Sequence, residues 1–117
     1  MDESRPIFQQ IAEQIENDII SGVLPEETQV PSTNEFAAFH RINPATAGKG
    51  VNLLVDAGIL YKKRGIGMFV AEGARARLVA TRRDQFREQF VAPLLAEATK
   101  LGISSADLAA MIQKDAK

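Results

Sequence analysis

Two helix starts fall close together in the stretch "PSTNEFAAFHRINPAT", Pro31 to Thr46, and they leave the chain little freedom. Ser32-Thr33-Asn34-Glu35 fits the S-x-x-E capping box, in which the serine oxygen and the glutamate carboxylate satisfy reciprocal backbone N–H groups. Asn43-Pro44 marks the second start. Pro44 disfavours a helical conformation at Asn43, Asn43 suits an N-cap, and Pro44 suits the first helical position, where its missing N–H costs nothing. The helix opened at Ser32 must therefore be short, with Phe36, Ala37 and Phe39 on its buried side. A second helix must follow a tight turn, over about residues 44–57, and stop at Gly58. On a helical wheel Ala47, Val51, Leu54 and Val55 share one face of it. Ala45, Lys49, Asn52 and Asp56 share the opposite, exposed face, flanked by Thr46.

The flanking segments complete an order of elements. Ile7, Ile11, Ile15 and Ile19, with Phe8, recur at helical spacing and predict a first helix from about Pro6 to Ser21, ended by Gly22 in a left-handed conformation. The connector "GVLPEETQVP" leaves room for an edge strand at most, at Gln29-Val30. In "ILYKKRGIGMFV", two β-prone runs, Ile59–Lys62 and Met68–Val70, flank a turn at Arg64-Gly65-Ile66-Gly67 and predict a hairpin with its basic residues at the tip. Helix, short helix, turn, helix and hairpin is the order of a winged helix-turn-helix, with the helix at about 44–57 for recognition and the hairpin at about 59–70 as the wing. Residues 1–72 are assigned to this domain.

Residues 73–117 form a helical appendage. Val79, Phe86, Phe90, Leu94 and Leu101 lie close to one face of a helical stretch from Ala74 to Thr99. Pro93 should kink or restart it, because an interior proline costs about 3 kcal/mol. The run "FVAPLLAEA" is apolar nearly all round, which a lone surface helix would not be. Gly102 stops the run, and Ser104-Ser105-Ala106-Asp107 starts a last helix with Leu108, Met111 and Ile112 on its apolar side. The fold class is thus mainly α with a small β-hairpin wing, followed by a short C-terminal helical tail for dimerisation.

Charge sharpens the functional reading. The whole chain carries a net charge of −1, but residues 1–39 hold one basic residue against eight acidic ones, while residues 40–83 hold nine basic residues against Asp56 and Glu72. A basic middle on a near-neutral chain is what a local polyanion-binding face gives; a solvated charged face is the alternative. With no cysteine and one histidine, His40, neither a thiolate or histidine metal site nor a Ser-His-Asp triad can be assembled. His40 lies at the end of the short helix and reads as structural or as a peripheral phosphate contact. The carboxylates are scattered, so no active site and no cofactor are expected. There is no long apolar run for a membrane span, and the start "MDESRPIFQQ" has acids where a leader needs positive charge, so a cytoplasmic address is expected.

An α-helix fits the DNA major groove, and the first turn of the recognition helix would point in. Thr46 and Lys49 can hold phosphate or base edges there, and Ala45 is small enough to meet a thymine methyl. Lys62, Lys63 and Arg64, leading into Gly-x-Gly, suit a wing that reaches the backbone or the minor groove. The competing reading is a winged domain that has lost DNA affinity and works as a protein-interaction module through its apolar tail.

The segments "PIFQQIAEQIENDIISGVL", "VPSTNEFA", "INPAT" and "LYKKRGIGMFV" together resemble the GntR family of bacterial transcription regulators. The short helical tail is similar to that of the YtrA-type subfamily, which lacks a large effector domain and dimerises through the tail. The resemblance implies a homodimeric repressor on a pseudo-palindromic double-stranded operator, with any small-molecule effector undefined. By position it implies DNA contacts at Ser32, Thr33 and Asn34, at Asn43, Ala45, Thr46, Gly48 and Lys49, and at Arg64, Gly65 and Gly67, to which the basic wing adds Lys63. Dimerisation would fall on Phe86, Phe90, Val91, Leu94, Leu95, Leu101, Leu108 and Ile112. Two positions depart from the family pattern: Asn34 and Gly48 stand where arginine is usual or frequent. Losing one bidentate base contact removes roughly 1–3 kcal/mol of discrimination, so this chain is expected to lean on Lys49 and the wing.

Overall fold

The computed structural model describes residues 4–116. Its elements are α1 (Ile7–Ser21), α2 (Thr33–His40), α3 (Pro44–Asp56), β1 (Leu60–Lys63), β2 (Gly67–Val70), α4 (Ala74–Phe86), a π-helical turn (Arg87–Val91), α5 (Ala92–Lys100) and α6 (Ser105–Asp115). The fold is the mainly helical one expected, with a single antiparallel hairpin.

Local chemistry sets most of the boundaries. Gly22 ends α1 at φ 88°, in the left-handed region. The capping box at α2 forms in both directions: the Ser32 hydroxyl oxygen accepts from Glu35 N–H at 3.1 Å, and Ser32 N–H donates to the Glu35 carboxylate at 3.2 Å. Asn43 Oδ1 accepts from Ala45 N–H at 2.7 Å and opens α3, with Pro44 in its first turn. Between them the turn rests on Arg41, which adopts a left-handed φ of 56° although it has a side chain. Such a residue costs roughly 1–2 kcal/mol in that region, and the Ile42 N–H bond to Ala37 O at 3.0 Å helps to hold it.

The first of two compact units runs to Val79. Ile11, Ile15 and Ile19 of α1 pack with Phe36, Ala37, Ala47, Val51, Leu54, Leu60, Val70, Ala74 and Leu78 into one core. Fully burying a side chain such as Leu60 contributes about 1.5–3 kcal/mol. Gly50 lets α1 and α3 approach: a Cβ there would stand 2.7 Å from Phe8 O and 3.0 Å from the Ile11 side chain. Two apolar residues depart from expectation. Ile7 is exposed, at the open end of α1, and Phe39 is 82% exposed. An eight-residue α2 has room for one buried stripe, and Phe36 and Ala37 fill it, leaving Phe39 to pack edge-on against His40 at 5.0 Å.

The hairpin register pairs Leu60 with Val70, Tyr61 with Phe69, Lys62 with Met68 and Lys63 with Gly67, one residue later at β1 and one earlier at β2 than the β-prone runs predict. Residues 27–30 flank β2: Glu27 N–H donates to Val70 O, Val70 N–H to Thr28 O, and Val30 N–H to Met68 O, at 2.8, 3.0 and 2.9 Å. Gln29 bridges Phe69, so the expected edge strand is present in its shortest form.

The second unit begins at Ala80. Pro93 has no N–H to donate. The backbone widens into the π turn just before it, where Ala92 N–H donates to Arg87 O, and the α-helix restarts at Ala92 with Pro93 in its first turn. Gly102 then turns the chain at φ 70°, and the Ser104 hydroxyl caps α6 by accepting from Asp107 N–H at 3.1 Å.

Candidate nucleic-acid interface

Two of the predicted contact regions, the start of α2 and the wing, line a common cleft in the first unit, and none of the predicted residues of α3 and its cap, Asn43, Ala45, Thr46, Gly48 and Lys49, lines it. Pro31, Ser32 and Thr33 at the start of α2, Val51 of α3, and Lys62, Lys63, Gly65, Ile66, Gly67 and Met68 of the hairpin line one open cleft of about 390 Å³. The start of one helix and the wing therefore address the same space. Ala45, Lys49, Asn52 and Asp56 are exposed on the outer face of α3, while Ala47, Val51 and Leu54 are buried on the inner one, as the wheel predicts. Thr46 and Gly48 flank that outer face, half-buried.

The polar groups are not all equally available. The Ser32 oxygen and Asn43 Oδ1 are engaged in capping, so what each still offers a ligand is a donor, the hydroxyl proton of Ser32 and the amide NH₂ of Asn43. Asn34 is exposed. The Lys49 ammonium lies 4.1 Å from the centre of the Phe8 ring, a cation–π contact that leans it back toward α1. Lys63 folds over Phe69 at 4.4 Å. Arg64 and Gly65 stand at the exposed tip, in a turn closed by the Ile66 N–H bond to Lys63 O at 3.0 Å. Gly65 has φ 78° and Gly67 φ 144°, values that strongly favour glycine. Behind the tip, the Tyr61 hydroxyl donates to the Glu27 carboxylate at 2.6 Å, which raises the Tyr61 pKa above its ordinary value.

The two glycines of α3 separate cleanly. Gly50 is required by the packing of α1 against α3. At Gly48 a Cβ would meet only the Thr33 methyl, at an ordinary 3.6 Å, so no packing demand explains the absent side chain.

The basic middle of the chain also divides. Arg75 donates from Nε to Ile20 O at 2.9 Å, and Arg77 donates to Gly58 O. Ile20 O lies in the last turn of α1, where a cation is favoured by the helix dipole, and Gly58 follows the end of α3. Arg75 and Arg77 thus fasten α4 to the fold, Lys62 and Lys63 line the cleft, and Arg64 at the wing tip, Lys49 on α3 and Arg41 in the turn before it are exposed. No local pattern marks this, because the acceptors lie 55 and 19 residues away in sequence. Among the described residues no cluster of three or more His, Asp or Glu could hold a metal ion, and no helix is long and apolar enough to cross a membrane.

In the second unit, Phe86, Phe90, Leu94, Leu95, Leu101, Met111 and Ile112 are all exposed, and Val91 is half-buried. Leu108 differs from the rest of the predicted dimerisation set. It is only 8% exposed, enclosed by its own chain.

Residues 7–70 match the family model described as bacterial regulatory proteins, gntR family. The chain belongs to the GntR family. It is 31% identical over 86 residues to the HTH-type transcriptional repressor YtrA of Bacillus subtilis (strain 168), an alignment that covers 74% of this chain and 66% of YtrA, just under two thirds of its length. A GntR family transcriptional regulator from Listeria monocytogenes superposes with a TM-score of 0.77 at 26% identity, covering 97% of this chain and 98% of that one. The DNA-binding domain of AraR in complex with operator ORR3 superposes on 55% of this chain and 77% of its own, with a TM-score of 0.53 and 31% identity. This GntR protein is a DNA-binding transcription regulator of winged-helix fold, and its family is one of regulators rather than of enzymes.

Proposed function

We propose that this GntR protein is a cytoplasmic, homodimeric repressor that binds a pseudo-palindromic operator, each subunit placing α3 in a major groove and its wing on the flanking backbone. The observation that supports this reading is the shared cleft, where the start of α2 and Lys62 and Lys63 of the wing line one volume, together with the exposed Ala45 and Lys49 on the outer face of α3. Ser32, Thr33, Asn34 and Asn43 supply donors to the phosphate backbone. Ala45, Thr46 and Lys49 meet base edges and phosphates, and Lys63, Arg64, Gly65 and Gly67 form the wing contact. Gly48 leaves a gap in the groove, so base contacts are sparse and a larger share of affinity is electrostatic.

Dimerisation is supported by the apolar surface of the second unit, where Phe90 is 61% and Leu101 65% exposed. Side chains of this size standing together in water are the mark of an interaction surface. Phe86, Phe90, Val91, Leu94, Leu95, Leu101 and Ile112 form it, and Leu108 props it from inside. Two copies of α3 in a bound dimer then address half-sites about one turn, ~34 Å, apart. YtrA, which aligns with 74% of this chain, is named a repressor, which supports the sign of the regulation.

Selection from a random duplex pool tests the reading directly. An inverted repeat should be enriched, and log K for it should fall linearly with log salt. A pool that shows no enrichment, or binding indifferent to salt, overturns it.

A further inference from the structure

We infer that Gln29, a neutral residue of the connector, is the positioning residue of the wing, holding its tip at the height where wing and α2 reach the same duplex. The inference rests on the DNA-binding reading above. An isolated two-stranded hairpin is marginally stable in water, so something other than its own ladder must fix where the tip stands.

Three observations place Gln29 there. Its backbone bridges Phe69, between the Glu27–Val70 and Val30–Met68 hydrogen bonds that attach the connector to β2. Its side chain runs toward the tip, and Nε2 donates to Ile66 O at 3.1 Å. Gly67 is shaped to receive it, since a Cβ at Gly67 would stand 2.5 Å from that Nε2 and 3.5 Å from the amide carbon. The glycine thus does two things, allowing φ 144° and leaving the amide its seat. On its other side Gln29 is two residues from Pro31, which lines the cleft with Ser32 and Thr33. One residue, three positions before the α2 cap along the chain, therefore holds the carbonyl beside the Arg64-Gly65 tip.

Gln29→Met keeps the length and stem and removes the donor. Gln29 carries no charge, so its loss removes no counterion-releasing contact of its own. Any change in salt dependence must come from the wing it positions, and a purely stabilising role would leave that dependence unmoved. With the operator selected by the wild type, Gln29→Met should bind about tenfold more weakly and show a salt slope shallower by about one phosphate contact. Arg64→Ala should lower the slope similarly, and adding Gln29→Met to Arg64→Ala should cost little more. Gly67→Ala, which expels the amide, should reproduce the Gln29→Met slope.

Backbone relaxation of the free protein reads the clamp without DNA. The Gly65, Ile66 and Gly67 amides should fall below an order parameter of about 0.6 in Gln29→Met, and unchanged amides overturn the clamp. Wild-type selection with Gln29→Met affinity and slope both unaltered, or equal losses in the Arg64 and Arg64→Ala backgrounds, overturns the positioning role alone. A wild type that selects no duplex overturns the DNA reading itself, and this inference with it.

Discussion

The two units handle their apolar residues in opposite ways. In the first, Ile11, Ile19, Leu60 and Val70 are sealed by side chains of the same unit. In the second, Ala98 and Leu108 are the buried residues, while phenylalanines and leucines stand in water. Both segments are rich in apolar residues, so composition does not separate them. The difference lies in whether enough neighbours exist to enclose the apolar face. The first unit has three helices, a hairpin and the first turns of α4 around one centre and is self-sufficient, whereas the short helices of the second leave most of their large apolar side chains uncovered.

The largest effect should come from cutting the self-sufficient core. Leu60→Ala should destabilise the first unit by about 2–5 kcal/mol, read by urea denaturation, with the association state of the remaining folded protein unchanged. In the second unit Phe90→Glu should do the reverse. Light scattering should show monomers, the first unit should melt as before, and operator affinity should fall by about 2 kcal/mol or more, the size of an aromatic anchor at an interface. Were Phe90→Glu instead to unfold the chain while Leu60→Ala left it intact, the contrast between the units would be inverted.

A third pair of variants compares two glycines on one helix. Gly48→Arg should tighten binding to the same operator at matched salt by about 1–2 kcal/mol, in the range of a base contact, and raise stability by up to about 1 kcal/mol as an interior glycine is replaced. Gly50→Ala should lose stability, because its Cβ would press on Phe8 O. The smallest effects should separate the basic residues. Arg77→Ala should cost roughly 0.5–1 kcal/mol of stability and leave the salt slope of DNA binding alone. Arg64→Ala should leave stability alone and reduce the slope by about one unit.

What the sequence discloses follows from range. The capping box at Ser32, the Asn43-Pro44 start, the stop at Gly22 and the inner face of α3 depend on residues within a turn of one another, and each appears where the local chemistry predicts. Phe39 was expected inside and lies outside, because how many apolar residues α2 can bury depends on α1 and α3, not on α2. Arg41 carries a left-handed turn that local preference would give to glycine or asparagine. The outer face of α3 and the wing tip were legible as exposed at Ala45, Lys49 and Arg64, with Thr46 and Gly48 half-buried on α3. The shared cleft was not, since it exists only once the hairpin lies beside the start of α2. Gln29 and the two capping arginines act on partners 37, 55 and 19 residues away, and no periodicity carries that distance.

The fastening by Arg75 and Arg77 has a mechanical consequence. Arg77 grips the carbonyl of Gly58, just past the end of α3, Arg75 grips the last turn of α1, and Ala74 and Leu78 on either side of them are sunk in the same core. The first turns of α4 therefore behave as a handle welded to α3. Moving α3 relative to α1 must break one of the two arginine bonds or lift Leu78 from the core.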